Sequence, residues 1–212
     1  MSKKIVAGLG LIAASMISSE IANAQQAGDL FVRARAIYVM PDESATTSIG
    51  GTVDIDNKVV PEVDFTYFIA DNIGLELIAA TTKHNVVGVG TALGASADLG
   101  SAWLLPPTLS LQYHVPVGNN SGVKPYFGAG VNYTFFYSEK EAGGAISDFN
   151  LKDSFGFSLQ VGVDFEISEN TFLNLDVKKL FLSTDAEING GAVTADVKIN
   201  PWIIGGGIGF KF

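Results

Sequence analysis

Large apolar side chains recur at every second position through most of this chain. In Val63-Asp64-Phe65-Thr66-Tyr67 the odd positions are apolar and the even ones polar, so on a pleated strand the two sets point to opposite faces. Ile73-Gly74-Leu75-Glu76-Leu77 follows, then Leu109 to Val115, Val131 to Phe135, Phe155 to Phe165 and Leu173 to Lys178, all keeping the alternation. Weaker copies near the two ends, Leu30 to Val39 and Val197 to Phe212, bring the expected strands to eight. Past residue 24 no apolar run approaches the roughly 18 residues of a membrane-crossing helix.

The connections alternate in length. Residues about 40 to 58, 83 to 103, 138 to 152 and 184 to 197 are long and carry Gly, Ser, Asp and Asn. Asp71-Asn72, Pro116 to Lys124 and Ser168-Glu169-Asn170 are short and hold turn chemistry. Short turns opposite longer loops, with an even strand number, predict an all-β fold: an eight-stranded antiparallel transmembrane β-barrel spanning residues 25–212, with four long external loops. A soluble barrel is the competing architecture, and side-chain bulk decides against it. Phe65, Tyr67, Tyr133, Phe135, Phe155, Phe157 and Phe165 would overfill an eight-stranded interior, which is just wide enough for side chains. Turned toward lipid, they leave a narrow lumen to the small and polar residues. There Arg33, Arg35, Glu62, Asp64, Glu76, Asp164, Asp176 and Lys178 are expected to neutralise one another. Lys179 falls on the lipid face and is expected to snorkel at the outer rim, because a Lys costs about 2–4 kcal/mol at the bilayer midplane and little near an interface.

Composition sharpens this reading. Only 17% of the residues are charged, against about 25% in an average soluble domain, and 47% are hydrophobic. The absence of Cys excludes disulfide frameworks, thiolate metal sites and thiol nucleophiles. A net charge of -9 with no compact basic patch argues against a nucleic-acid partner. At the start, Lys3 and Lys4 precede the apolar stretch Ile5 to Ile17, and Ala22-Asn23-Ala24 supplies a small-x-small site. Residues 1–24 therefore read as a signal peptide cleaved after Ala24, too short in its apolar part to anchor as a helix.

The last residues, Gly207-Ile208-Gly209-Phe210-Lys211-Phe212, put Phe210 and Phe212 on one face. They resemble the final-strand signal read by the outer-membrane assembly machinery, although Gly205 stands where that signal usually begins with a polar residue. A wider resemblance is to the OmpW family of small outer-membrane barrels. It is carried by Phe65-Thr66-Tyr67 with Asp71-Asn72-Ile73-Gly74-Leu75-Glu76-Leu77-Ile78-Ala79-Ala80-Thr81, by Leu105-Pro106-Pro107-Thr108-Leu109, and by Lys124-Pro125-Tyr126-Phe127-Gly128-Ala129-Gly130-Val131-Asn132-Tyr133-Thr134. Leu151-Lys152-Asp153-Ser154, Gln160-Val161-Gly162-Val163-Asp164 and Asn200-Pro201-Trp202 extend it over essentially the whole chain past residue 24. The resemblance implies a cell outer-membrane location, a narrow and partly apolar bore, and passage of small hydrophobic molecules that leave through a lateral opening in the wall. It also implies an apolar constriction. Ile78 falls at one such position, while Lys178 stands where the family commonly has a bulky aromatic.

Other motifs carry less. Gly88-Val89-Gly90-Thr91-Ala92-Leu93-Gly94 has the wrong spacing for a dinucleotide fingerprint, and Asp54-Ile55-Asp56 lacks the glycine and distal glutamate of a calcium loop. No catalytic residue, metal or cofactor is expected. His114 reads as a hydrogen-bonded lumen residue. His84, at the outer end of the third strand, invites a triad that only geometry can assign. Arg33 and Arg35 fit either a salt-bridged plug or a selectivity ring. Asn85 to Ala97 is uncharged, and Trp103, Leu104 and Leu105 continue its apolar character to the rim. That fits a greasy mouth, or equally a loop packed on its neighbours and touching lipopolysaccharide. Pro106 and Pro107 would break edge hydrogen bonding where a wall opening needs it. Two functions stay open: a passive pore for a small hydrophobic solute, and a surface barrel whose loops bind a partner in adhesion, reception or envelope structure.

Overall fold

The computed structural model describes residues 25–117 and 122–212. Residues 1–24, expected as the signal peptide, and the middle of the Pro116 to Lys124 turn lie outside the described residues. The chain climbs in β1 (Leu30–Met40) and its short continuation β2 (Ser44–Thr47), then descends through β3 (Thr52–Ile55) and β4 (Lys58–Ala70). After a tight turn at Asp71-Asn72 it rises through β5 (Ile73–Ala80) into β6 (Thr82–Thr91) and returns by β7 (Gly94–Leu105) into β8 (Thr108–His114). A single long strand, β9 (Val123–Glu141), rises again, and β10 (Phe149–Leu151) and β11 (Ser154–Ser168) descend. The last pass climbs β12 (Thr171–Phe181) and β13 (Ser183–Ile188) and comes down β14 (Val193–Lys198) and β15 (Trp202–Lys211).

Eight of these strands close on themselves in the order β11-β12-β15-β1-β4-β5-β8-β9, with β9 pairing back to β11, and every pairing is antiparallel. Closure leaves no open edge within the barrel. The remaining strands are its upward extension. β7, β6 and β3 continue from the upper half of β9, and β10-β13-β14-β2 form a separate four-stranded sheet. The segments expected as irregular loops are thus largely strand. In residues 83–103 the alternation fails because the register slips: between Val86 and Val87 a bulge leaves Leu99, Gly100, Ser101 and Ala102 all buried in succession, which erases the period of two.

Within the barrel the two faces separate as the alternation requires. Phe155, Phe157, Leu159 and Val161 of β11 are exposed while Gly156, Ser158 and Gln160 between them are buried. Phe65, Tyr67, Tyr133, Phe135 and Phe165 also face outward. Trp103 stacks on Tyr137 at 6.2 Å and Trp202 lies under Lys179, aromatic residues at the outer rim of an apolar belt. Lys179 reaches up from that rim to Asp42 Oδ2 at 2.8 Å and the Asn200 carbonyl at 2.6 Å. The interior is tight enough that a Cβ on Gly209 would meet the Phe172 ring at 2.2 Å and one on Gly162 the Tyr126 ring at 2.3 Å, so those glycines make room for inward aromatics.

An outward belt of this kind is stable only against lipid. Replacing Leu175, exposed near the middle of β12, by Arg is expected to weaken folding into phosphatidylcholine vesicles by about 2–4 kcal/mol in equilibrium denaturant titrations. The same change at outward Tyr113, beside the turn that follows β8, is expected to cost about 0–1 kcal/mol.

Candidate functional site

The bore is built in three layers, each set by which inward positions the strands bring level. In β1 the inward residues read Phe31, Arg33, Arg35, Ile37 and Val39 from bottom to top, in β4 Phe68, Thr66, Asp64 and Glu62, and in β12 Phe172, Asn174, Asp176, Lys178 and Leu180. Registers Arg33↔Asp64 and Arg35↔Glu62 put these rows side by side.

The bottom layer is aromatic. Phe31 packs on Phe68 and Phe172 with ring centroids 5.0 and 4.7 Å apart, and His114 sits between Phe68 and Tyr126, 4.9 Å from each. Sequence reasoning left these inward aromatics out. Their parity was the available signal: Phe31 shares a face with Arg33, Phe68 with Asp64, and Phe172 with Asp176.

The middle layer is charged and fully enclosed. Arg33 Nη1 lies 2.8 Å from Asp64 Oδ1 and 3.0 Å from Thr66 Oγ1, and its Nη2 is 3.3 Å from Asp164 Oδ2. Its guanidinium also rests over Phe31, Tyr126 and Phe172, 5.4 to 5.9 Å from the centroids. Arg35 Nη2 is 2.6 Å from Glu62 Oε1 and 3.0 Å from Asp64 Oδ2, while Nη1 donates to Asn174 Oδ1 at 3.1 Å. Around the arginines, Gln160 donates to Glu76 at 2.8 Å, Asn174 to Asp164 at 2.7 Å and the Tyr126 hydroxyl to Asp176 at 2.9 Å. The structure therefore brings all eight expected lumen charges together, each 4% exposed or less. Their mutual pairing blocks the bore.

Above them lies an apolar chamber with a cavity volume of about 100 Å³ and an open external mouth. Ile78, Glu62, Lys178 and Thr108 line its floor; Ile37, Val39, Leu180 and Ile203 its lower wall; Val53, Ile55, Val86 and Leu99 its upper wall. Ile78 is buried and inward. Of the three residues expected at the mouth, Leu104 lines the chamber, but Trp103 and Leu105 are its neighbours in a strand of period two and so point outward. Pro106 lines the chamber at floor level. Phe210 and Phe212 are exposed at the bottom, where Leu30 and Phe212 exchange backbone hydrogen bonds.

His84 is the titratable group of the upper wall. Its Nδ1 is 2.6 Å from the Asp56 carbonyl, with the Asp56 carboxylate at 3.5 Å, and its Nε2 is 3.2 Å from Thr82 Oγ1. Burial holds the imidazole below its ordinary pKa despite the pull of Asp56. The Asp56 carboxyl, which burial alone would raise, is held below its usual value by hydrogen bonds from Lys58 and Asn85. The cluster ties the start of the β3–β4 connection to β6.

A closed eight-stranded barrel, apolar outside and charged within, defines a bacterial outer-membrane β-barrel protein. The chain belongs to the OmpW family, which it matches over residues 26–212. It is 37% identical to outer membrane protein W of Escherichia coli K12 over 222 aligned positions, covering all of both chains. The crystal structure of the outer membrane protein OprG from Pseudomonas aeruginosa superimposes with a TM-score of 0.83 at 33% identity, covering 89% of this chain and 98% of that one. A Pseudomonas aeruginosa protein named dibenzothiophene metabolism operon protein PahQ is 32% identical over 168 residues, 77% of this chain and 76% of its own. The protein resides in the outer membrane, in contact with lipid and lipopolysaccharide.

Two outcomes follow from this geometry. Arg35→Met leaves Glu62 without its cation and Asp64 with Arg33 alone, and is expected to destabilise the detergent-folded barrel by about 3–5 kcal/mol in urea titrations. His84 has a folded pKa below its unfolded value of about 6.5, so the unfolded state binds more protons in acid. Stability in the β3–β6 region is present above about 6.5 and falls as pH drops from there toward the lower folded value. Hydrogen exchange at the Asp54 and Asp56 amides, on the side of β3 that faces β6, corrected for intrinsic rates, is expected to lose protection between pH 7 and 5, and His84→Gln to flatten that dependence.

Proposed function

We propose that the barrel is a passive entry route for small hydrophobic molecules, which enter at the external mouth, occupy the chamber and leave sideways through the wall into the membrane. The observation that carries this reading is an aliphatic chamber, open outside, whose floor is a layer of paired charges. An apolar solute gains by leaving water for such a chamber and has no favourable path through the plug beneath it.

The wall beside the floor is the exit we assign. Tyr133 N donates to the Pro107 carbonyl at 3.1 Å, so the donor that Pro107 lacks would have faced β9 and the one that Pro106 lacks would have faced β5. Register is kept above and below, with Leu104 opposite Thr82 and Thr108 opposite Ile78. The seam to β5 and the seam to β9 are thus each weakened by one ladder bond without being displaced. Asn132 Nδ2 braces the latter from inside, donating to the Pro106 and Pro107 carbonyls at 3.2 Å and to Thr108 Oγ1 at 2.9 Å.

The name of PahQ, which links that relative to dibenzothiophene metabolism, supports an apolar solute. A barrel acting only through partner binding at its external strands has no use for a deep aliphatic chamber, and we favour transport for that reason. We read the protein as non-enzymatic: the His84 Nδ1 contact is closer to the Asp56 carbonyl than to its carboxylate, as suits a tether. Residues 1–24 serve in this reading as a signal peptide removed after Ala24, and Phe210 and Phe212 as the contact with the assembly machinery.

Liposomes holding a fluorescent apolar-solute sensor are expected to fill faster with the purified barrel than without it. Pro106→Ala with Pro107→Ala restores two donors worth about 0.5–1.5 kcal/mol each and is expected to slow entry about tenfold. Entry no faster than in empty liposomes refutes transport; equal rates in barrel and variant reduce the proline pair to a turn.

A further inference from the structure

The chamber floor holds a donor that the plug does not use. Lys178 is 2% exposed, lines the chamber and stands level with Ile203 and Gln160 of the neighbouring strands. Its ammonium nitrogen lies 3.8 Å from Asp176 Oδ1, beyond hydrogen-bond distance, and has no hydrogen-bond partner among the described residues. The two arginines below it are engaged by several acceptors each. An ammonium carries three N–H donors, and leaving them unspent in an enclosed site costs more than for a neutral group. Lys178 thus sets a buried, unspent donor in the floor of a mainly apolar chamber, at the depth an elongated solute would reach.

We propose that the chamber selects apolar molecules bearing one neutral hydrogen-bond acceptor, such as a ketone or ester carbonyl, whose oxygen is received by Lys178 while the hydrocarbon body lies along the aliphatic wall. Charge decides between a neutral acceptor and a carboxylate. Lys178 and the two arginines make three cations against the five carboxylates of the plug, an excess of two negative charges just below the floor. A ligand carboxylate would add to that excess; a carbonyl takes the hydrogen bond without adding charge. A plain alkane fills the wall and leaves the ammonium unsatisfied. The inference rests on the chamber being the seat of the solute, as proposed above.

The test is binding to the full barrel in lipid nanodiscs, read from the Ile203 methyl resonance, with nonane, 2-nonanone and nonanoate as ligands. Comparing wild type with Lys178→Met for one ligand at a time cancels its partition into lipid. The expected result is about a tenfold loss of apparent affinity for 2-nonanone in the variant, with nonane unchanged. A second measurement needs no variant: the carbonyl carbon of 13C-labelled 2-nonanone is expected to move downfield on binding to wild type. Ketone binding that is equal in both proteins, an unmoved carbonyl resonance, or tighter binding of nonanoate overturns the selection by Lys178 while leaving the chamber as a seat for apolar solutes. Failure of nonane and 2-nonanone alike to perturb Ile203 overturns both readings.

Discussion

Arg33 and Arg35 sit in a bore too narrow to hydrate them freely and can discharge their cost only onto the carboxylates that face them. That constraint organises the rest of the barrel. Lipid outside demands that the large apolar residues turn outward, and eight strands leave an interior that side chains must fill. Polar groups placed there must find partners or pay for desolvation. Asp64, shared between both arginines, and Asn174, bridging Arg35 to Asp164, are how this chain meets the demand. The result is a rigid cross-brace that joins β1, β4, β11 and β12 through side chains as well as backbone.

A brace at that height divides the bore into unlike halves. Below it the inward aromatics pack around Arg33 and seal the periplasmic end; above it the same strands turn aliphatic and open outward. Passage straight through would require dissolving the ion pairs, whereas passage through the wall requires parting a seam already short of a hydrogen bond. The external strands lengthen the upper half. β6, β7 and β9 carry the barrel wall upward, and Val53 and Ile55 of β3 fold in to complete the apolar lining. The chamber is deep because the strands run on past the membrane.

Much of this was written in the alternation itself. A period of two located the eight strands that close the barrel, and the parity of Phe65, Tyr133 and Phe157 separated the lipid face from the lumen. The charged layer followed, because parity placed Arg33 and Asp64 on the same side before any partner was known. What escaped was the part where parity fails or is diluted. The bulge at Leu99 and the Gly, Ala and Ser content of β6 and β7 hid a paired hairpin inside an apparent loop. Trp103 and Leu105 were grouped with Leu104 by hydropathy, although neighbours in a strand face opposite ways. The inward aromatics were overlooked for the opposite reason: Phe31, Phe68 and Phe172 kept the lumen's parity but not its expected polarity.

The account stands most directly on the division of the bore by its charged layer. A diazirine-bearing alkane added to the reconstituted barrel and photolysed would mark every inward side chain it can reach, and peptide mapping would read the marks. Labelling of inward Leu180 and Ile203 above the arginines, with none on Phe31, Gln112 or His114 below them, is the predicted pattern. Inward labels on both sides of Arg33 and Arg35 would mean that the solute crosses the plug, and the lateral route would have no reason to exist.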